Sequence, residues 1–313
     1  MAAWHVSSRV ATAAILGLVV LDVALVLTAL QSTHASGIDT TAVSSPSPSE
    51  VPTSAPVTTS VTTSPTTSPG TASAPLQIML VALDAQRAWR VHAGSCADGG
   101  ASLATTRDGG KTWAKGEANL RRIVRVRPDD SQVAFVVGAG TSCAAELKNT
   151  GDGGVTWSAG GTGSLAWFRD PKDPQVVRAP GLAVSRPCGK HAVLDLAVVT
   201  ADSARVLCED GLVRSTTVNG SVWVDVDRVD GAVALAVTTA SPAETNVARV
   251  GVPDCAGVQI LRVPQRFVAS CVQTPIPGEP GQIALSLIKG GGWLSVAGTT
   301  FRSADELVTW KAS

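Results

Sequence analysis

An eight-residue pattern occurs twice in this 313-residue chain, with 44 residues between equivalent positions. The first copy runs from Thr106 to Trp113 as TRDGGKTW, and the second runs from Thr150 to Trp157 as TGDGGVTW. A spaced repeat of this kind indicates a fold built from stacked supersecondary units, because each unit must bury its faces against its neighbours. The repeat therefore constrains the architecture of the chain more strongly than its chemistry.

Two weaker copies follow, TTVNGSVW at 216–223 and SADELVTW at 303–310, and we call the four segments octads. The pattern is typical of a hairpin: Asp accepts hydrogen bonds from turn amides, Gly supplies a positive φ, and Trp packs between sheets. We expect a structural role for the shared octad residues, which are Thr106, Asp108, Gly110, Thr112, Trp113, Thr150, Asp152, Gly154, Thr156, Trp157, Thr216, Gly220, Trp223, Ser303, Asp305, Thr309 and Trp310.

The octads resemble the Asp-box, or BNR, repeat of β-propellers such as sialidases, sortilin-type receptors and the photosystem II stability factor group. The resemblance covers about residues 76–313 and implies an all-β propeller in which each octad joins the third and fourth strands of a blade. Strand patterns predict about six four-stranded blades, with five or seven also compatible, and no octad in the third and fifth blades. The predicted innermost strands are 76–84, 121–127, 164–169, 193–201, 231–239 and 282–289.

Residues 1–75 are predicted to lie outside the globular domain. The apolar run 11–30 is long enough to span a bilayer, and the basic residue before it predicts a cytoplasmic segment 1–10. Residues 31–75 are rich in Ser, Thr and Pro and predict a disordered stalk, glycosylated or not. The sequence thus favours a membrane-anchored bacterial envelope protein with an extracytoplasmic C-terminal domain. Small residues around His34 leave signal-peptide cleavage and secretion as the alternative.

All six cysteines follow the stalk, and an even count in an exported domain predicts three disulfides. With the propeller map, the expected pairs are Cys96–Cys143, Cys188–Cys208 and Cys255–Cys271. We expect no metal and no other cofactor, since no CxxC pair occurs and histidines are few. Equal numbers of acidic and basic residues, 25 each, argue against a nucleic-acid partner.

The resemblance to sialidases does not extend to their chemistry. Retaining sialidases use a Tyr nucleophile, and this chain contains no Tyr. The sequence favours a non-catalytic binding or scaffold propeller that recognises an envelope or membrane protein or an anionic glycan. The alternative is a cell-envelope glycoside hydrolase of a non-sialidase type, which would require two carboxylates converging at the channel mouth.

One cluster of basic residues is a candidate ligand site. Alternation along 121–127 predicts that Arg121, Arg125 and Arg127 share one side of an innermost strand. Trp167 and Arg169 occupy the comparable strand of the next blade. Together, these five residues predict a cationic funnel, flanked by an aromatic ring, at the central channel and suited to an anionic ligand. Pairing of the arginines with nearby acids, or exposure to solvent, remains the alternative.

Overall fold

The structure is a computed structural model that describes residues 74–161, 166–238 and 243–313. The predicted cytoplasmic segment, membrane span and nearly all of the predicted stalk therefore lie outside the described residues. Within the described ranges, no helix has both the length and the apolar character needed to cross a bilayer. The described chain is all-β apart from a short 3₁₀ turn at Pro180–Leu182.

Six antiparallel sheets follow one another along the chain, and five of them have four strands. The first blade comprises β1 (Ile78–Ala82), β2 (Ala88–His92), β3 (Ser102–Thr106) and β4 (Ala114–Gly116). The second comprises β5 (Arg122–Pro128), β6 (Ala134–Ala139), β7 (Ala145–Thr150) and β8 (Ser158–Ala159). The third comprises β9 (Phe168–Arg169), β10 (Val177–Arg178) and β11 (Val184–Ser185).

The last three blades are regular. The fourth comprises β12 (Val193–Val198), β13 (Ala204–Cys208), β14 (Leu212–Thr216) and β15 (Val224–Arg228). The fifth comprises β16 (Ala232–Val237), β17 (Thr245–Arg249), β18 (Val258–Val263) and β19 (Phe267–Val272). The sixth comprises β20 (Ile283–Ile288), β21 (Gly291–Val296), β22 (Thr299–Ser303) and β23 (Lys311–Ala312). The prediction of a six-bladed propeller is confirmed.

The strand sequences follow from their positions in the ring. Innermost strands such as β16 (AVALAV) and β20 (IALSLI) are almost continuously apolar, because blades cover both of their faces. Outermost strands such as β15 (VDVDR) are polar and largely exposed. The core consists of apolar layers between adjacent blades, each formed by the facing sides of two sheets.

The ring closes between the sixth and first blades without a shared strand. Ser286 Oγ of β20 accepts a hydrogen bond of 2.9 Å from the amide of Ala82 in β1. Trp293 Nε1 donates to the carbonyl of Asp84 at 2.9 Å, and Arg302 donates to that of Ala85 at 2.7 Å. These side chains of the last blade bond the backbone of the first, and the amides of Gln77 and Ile78 add backbone bonds to Gly281 O at 2.8 and 3.1 Å.

The two ends of the propeller differ in their connections. The octad turns lie at one end, the octad face, beside the turns that join first and second strands. At each octad, a backbone amide donates a hydrogen bond to a carbonyl in the turn between the first and second strands of the same blade. The amide of Gly153, for example, donates to Gln132 O at 2.8 Å. All three predicted disulfides form, with Cα separations of 5.5–5.7 Å, at the opposite end, the disulfide face. Cys96–Cys143 links the first two blades.

The third blade corrects the predicted strand order. Residues 164–169 were expected to form an innermost strand parallel to its neighbours, but β9 runs antiparallel to β12. Trp167 Nε1 donates to Ala201 O beyond the end of β12 at 2.7 Å, whereas Arg169 donates to Leu194 O near its start at 3.0 Å. By direction β9 is therefore a second strand, although it occupies the inner position. Residues 162–165, which precede it, are not described.

Candidate functional site

The octads share one network of hydrogen bonds around a carboxylate. In the second octad, Asp152 accepts bonds from Thr150 Oγ1 at 2.8 Å and from Thr156 Oγ1 at 2.6 Å. Thr150 Oγ1 also accepts the amide of Gly154 at 3.0 Å, and Trp157 Nε1 donates to the Gly154 carbonyl at 3.0 Å. The hydroxyl and amide of Thr156 and the hydroxyl of Thr150 lower the pKa of Asp152 to about 2. The turn therefore uses this carboxylate as a structural acceptor.

The weaker octads keep the part of this network that their residues allow. In the sixth blade, Asp305 bonds Ser303 and Thr309 at 2.8 and 2.6 Å, and Leu307 takes the glycine position with φ +72°. In the fourth blade, Thr216 Oγ1 still accepts the amide of Gly220 at 3.2 Å. The conserved hydroxyl thus holds each turn, even where Asp or Gly is replaced.

Each blade places one side chain of its second strand against the following blade, and we call this place the wedge position. Trp89 of the first blade lies edge-on to Trp157 of the second, with centroids 6.3 Å apart. Trp167 of the third blade meets Trp223 of the fourth at 6.2 Å. Position in the strand gives the wedge residues, in blade order, as Trp89, Phe135, Trp167, Arg205, Asn246 and Trp293.

The predicted arginine funnel does not assemble. Arg121 donates from Nε to Cys96 O at 2.8 Å, toward the first blade at the disulfide face. Arg125 and Arg127 lie over the ring of Phe135 instead, with guanidinium-to-centroid distances of 5.6 and 5.9 Å. A bulge at Val124 breaks the alternation on which the prediction rested, because the ladder steps from Ile123 directly to Arg125.

Arg125 and Trp167 are both buried between blades. Arg125 donates to the backbone carbonyl of Trp167, so it joins the second blade to the third. Burial, together with the nearby charge of Arg127, lowers the pKa of Arg125 to about 10. Trp167 is only 1% exposed and packs toward the fourth blade, away from any opening. The indole is therefore a wedge between blades.

Arg169 alone among the five predicted residues reaches the channel mouth at the disulfide face. Its guanidinium donates to Leu194 O at 3.0 Å and lies 3.5 Å from Leu76 O. The amide of Leu76 in turn donates to Leu194 O at 3.0 Å. Since Leu76 precedes the first blade and Leu194 belongs to the fourth, the segment before β1 crosses this mouth. Leu76 and Arg169 are both buried.

Asp195 is the only acidic residue of the innermost strands that the structure describes. It lies deep in the molecule, with part of its surface accessible, and Oδ2 accepts the amide of Leu235 in the next blade at 2.8 Å. Burial raises its pKa, opposed by the Leu235 amide and by Arg169. Across the described part of the channel, no second carboxylate joins Asp195, so the pair that a glycosidase requires is not formed by these residues.

A pocket opens between the fourth and fifth blades toward the octad face, and we call it the blade 4/5 pocket. Its volume is about 350 Å³, and it is lined by Arg205, Val226, Ala243, Glu244, Arg262, Val263, Pro264, Gln265 and Phe267. The wedge residue here is Arg205, and the fifth blade has no octad to meet it. The pocket therefore occupies the place where three of the other interfaces hold a Trp and an octad.

The charges in the blade 4/5 pocket are only partly balanced. Arg262 pairs with Glu244 at 3.2 Å, and its guanidinium lies 5.9 Å from the ring centroid of Phe267. Arg205 makes one hydrogen bond within the described residues, to Ala243 O at 3.4 Å. Burial lowers the pKa of Arg205. Two guanidinium groups and one carboxylate leave the pocket with a net positive charge.

Apolar side chains surround this charged pocket. Val226 belongs to the apolar layer between the two blades. Val224 pairs with Ser215, which in turn pairs with Arg205, so Val224 lies on the same side of the sheet as Arg205. Val224 is 60% exposed and Phe267 is 59% exposed. This pocket is not among the sites predicted from the sequence. Its signal was the alignment of Ala204–Arg205 with Ala88–Trp89, in which Arg replaces a wedge Trp.

The comparisons with known proteins support the propeller fold alone. The sequence matches no protein-family model and no curated protein. Among solved structures, a mutant of Aleuria aurantia lectin in complex with Fucα1-6GlcNAc has a TM-score of 0.50 at 11% identity. This alignment covers 76% of the present chain and 94% of the lectin. At so low an identity, the likeness bears on the fold and not on the ligand.

Two further structures match with lower superposition scores. YCF48 bound to D1 peptide is 18% identical, with a TM-score of 0.27, and the alignment covers 78% of this chain and 82% of that one. The GH74 xyloglucanase from Xanthomonas campestris is 13% identical, with a TM-score of 0.30, covering 75% of this chain and 38% of the enzyme. The assignment of the chain as a six-bladed β-propeller rests on its own sheet topology.

Proposed function

We propose that this chain is a non-catalytic binding propeller of the cell envelope, which recognises a protein or glycan partner outside the cytoplasm. The blade 4/5 pocket is the observation that carries the proposal. It combines an incompletely paired arginine with exposed apolar side chains around an opening, a combination suited to binding. Its single carboxylate, Glu244, is paired with Arg262, which leaves no second acid there for glycoside hydrolysis.

The tether is part of the same proposal and rests on the sequence. The apolar run 11–30 would anchor the chain in the membrane, and the Ser/Thr/Pro-rich stalk 31–75 would hold the propeller away from it. Three disulfides in the propeller support an oxidising location. We further propose that the octads are Asp boxes, since their shared carboxylate and hydroxyl network serves the turn itself.

The binding proposal is tested by photo-crosslinking of the full chain on intact cells. A benzophenone amino acid replaces Phe267 at the pocket in one variant and Val155, an exposed residue of the second octad, in the control. We expect a discrete adduct from position 267 and none from position 155. Partner peptides recovered from the adduct would identify a protein, and loss of the added mass on glycosidase treatment would identify a glycan. Absence of an adduct from position 267, or equal labelling at both, would contradict the proposal.

The tether is tested separately by fractionation of cells that express the full chain or a chain lacking residues 1–30. We expect the full chain in the membrane fraction, with its propeller degraded by protease added to intact cells. A full chain that is recovered in the medium would favour cleavage of a signal peptide. Recovery of a protease-protected propeller inside intact cells would contradict the extracytoplasmic placement.

A further inference from the structure

The blade 4/5 pocket arises from a mismatch between two adjacent blades. At the interfaces of the sixth and first, first and second, and third and fourth blades, a wedge Trp packs beside an octad glycine. Between the fourth and fifth blades, the wedge residue is Arg205 and the facing turn is formed by Pro264 and Gln265. The volume that an indole fills elsewhere remains open here.

Arg205 is the main reason to expect a ligand in this pocket. A partly buried guanidinium is normally matched by a carboxylate, because removing an unpaired charge from water is costly. Among the described residues, the guanidinium of Arg205 makes one hydrogen bond, the long one of 3.4 Å to Ala243 O. Residues 239–242, just before Ala243, carry no acidic side chain that could pair with it. A second donor, Nε of Arg262, is buried without a partner.

The other residues that line the pocket indicate which chemical groups of a ligand would accompany its negative charge. Val226, Val263 and Phe267 supply apolar area, whereas the polar groups beside the arginines are Glu244 and Gln265. A sugar acid needs several partners for its hydroxyl groups, and this lining offers few. An aliphatic or aromatic body would instead cover the exposed ring of Phe267 and the valines.

We infer that the blade 4/5 pocket is a binding site for an organic monocarboxylate with an apolar body, whose carboxylate is held by Arg205. The inference rests on the proposed role of the propeller as a binding module and names the chemistry of one of its sites. The guanidinium donates two parallel hydrogen bonds to the carboxylate. Arg262 supplies a second positive charge, which its pairing with Glu244 partly offsets.

The test uses nuclear magnetic resonance titration of the full chain with N-acetyl-L-leucine as the probe. We expect saturable shifts at Val226 and Val263, with a Kd on the order of 1 mM for a ligand of this size. N-acetyl-L-leucinamide lacks the charge, acetate lacks the apolar body, and D-glucuronate carries a hydroxylated body. Each should bind at least about tenfold more weakly. Equal or tighter binding of glucuronate would overturn the apolar part of the inference.

Substitutions in the pocket test which residue binds the carboxylate of the probe. Arg205→Gln should weaken N-acetyl-L-leucine binding at least about tenfold, and Arg205→Lys should restore part of it. Glu244→Gln should tighten binding about threefold or more, since it removes a competing carboxylate beside Arg262. A merely structural role of these residues would not produce tightening. Arg107→Gln, at an exposed arginine of the first octad, is the matched control and should change nothing.

Two results would overturn the inference. One is the absence of saturable binding of N-acetyl-L-leucine to the wild-type chain, and the other is unchanged binding in folded Arg205→Gln. Neither result would bear on the proposed function, because the crosslink from position 267 does not require Arg205. An adduct that persists in Arg205→Gln, together with no probe binding, would retain the binding propeller and reject this site.

Discussion

The indole of Trp89 lies edge-on to that of Trp157, with ring centroids 6.3 Å apart and an interplanar angle of 81°. Trp89 belongs to the first blade and Trp157 to the octad of the second, so the pair joins two blades. Trp167 and Trp223 repeat the geometry between the third and fourth blades, at 6.2 Å and 80°. Edge-to-face packing of this kind adds to the free energy gained by burying the rings.

Trp89 is therefore expected to be one of the main stabilising residues of the ring. Trp89→Ala should lower the free energy of unfolding by about 3–5 kcal/mol, because the side chain is 1% exposed and its removal leaves a cavity. Trp89→Phe should cost less, since it keeps an aromatic ring. Denaturant titration followed by circular dichroism provides the measurement. A loss of less than about 1 kcal/mol for Trp89→Ala would show that the neighbouring blades do not depend on this wedge.

Gly154 packs closely against the indole of Trp89. A Cβ at this position would lie 3.2 Å from Cζ3 of Trp89, and the residue has φ +91°. Gly154→Ala should thus destabilise the fold by about 1–3 kcal/mol, through backbone strain and crowding of the ring. Gly151 is the control, because a Cβ there meets nothing within 4 Å and its φ is not positive. Equal melting temperatures of the two alanine variants would refute this account.

The octads could be predicted from sequence because their chemistry is local. Thr150, Asp152 and Thr156 bond one another within seven residues of chain, so the pattern alone specifies the turn. Disulfide pairs followed from the blade map in the same way. The direction of β9 could not be predicted, since it depends on contacts with β12 that lie far along the chain.

The candidate sites were harder to predict than the fold. The sequence alternates between basic and apolar residues at Arg125, Val126 and Arg127 and gives no sign of the bulge at Val124. In the structure, this bulge redirects the side chains in the first part of the strand. The blade 4/5 pocket depends on a missing partner, the octad that the fifth blade lacks. Arg205 at a wedge position was visible in the sequence, but its meaning requires the structure of the facing blade.

The carboxylate of Asp152 predicts an acid-dependent contribution to stability. Its folded-state pKa of about 2 lies below the ordinary aspartate value of 3.8, so the stabilisation is complete above about pH 4 to 5 and is lost as the pH falls through 2. The melting temperature of Asp152→Asn should therefore be lower than that of wild type at pH 7. This difference should shrink between pH 3.8 and 2, because the carboxylate is protonated in the unfolded chain over this range while it stays largely ionised in the folded protein, so that folding is opposed increasingly as the pH falls.

Thermal melts followed by circular dichroism between pH 7 and 2 provide this measurement. Glu279→Gln, at an exposed acid outside the octads, is the control and should leave the melting temperature nearly unchanged throughout. A difference between wild type and Asp152→Asn that stays constant down to pH 2 would mean that the charge of the carboxylate is not what stabilises the turn.

Arg169 should control the segment that crosses the channel mouth. Arg169→Met removes the donors to Leu194 O and Leu76 O and leaves Asp195 without its nearby positive charge. We expect a destabilisation on the order of 3 kcal/mol, together with faster amide exchange at Leu76 and Gln77. Arg178→Met is the matched control in the third blade, where the arginine pairs with Asp170 at 2.6 Å. Faster exchange at Leu76 in both variants would indicate general loosening of the third blade, whereas unchanged exchange in Arg169→Met would show that the amide bond from Leu76 to Leu194 suffices to hold the segment.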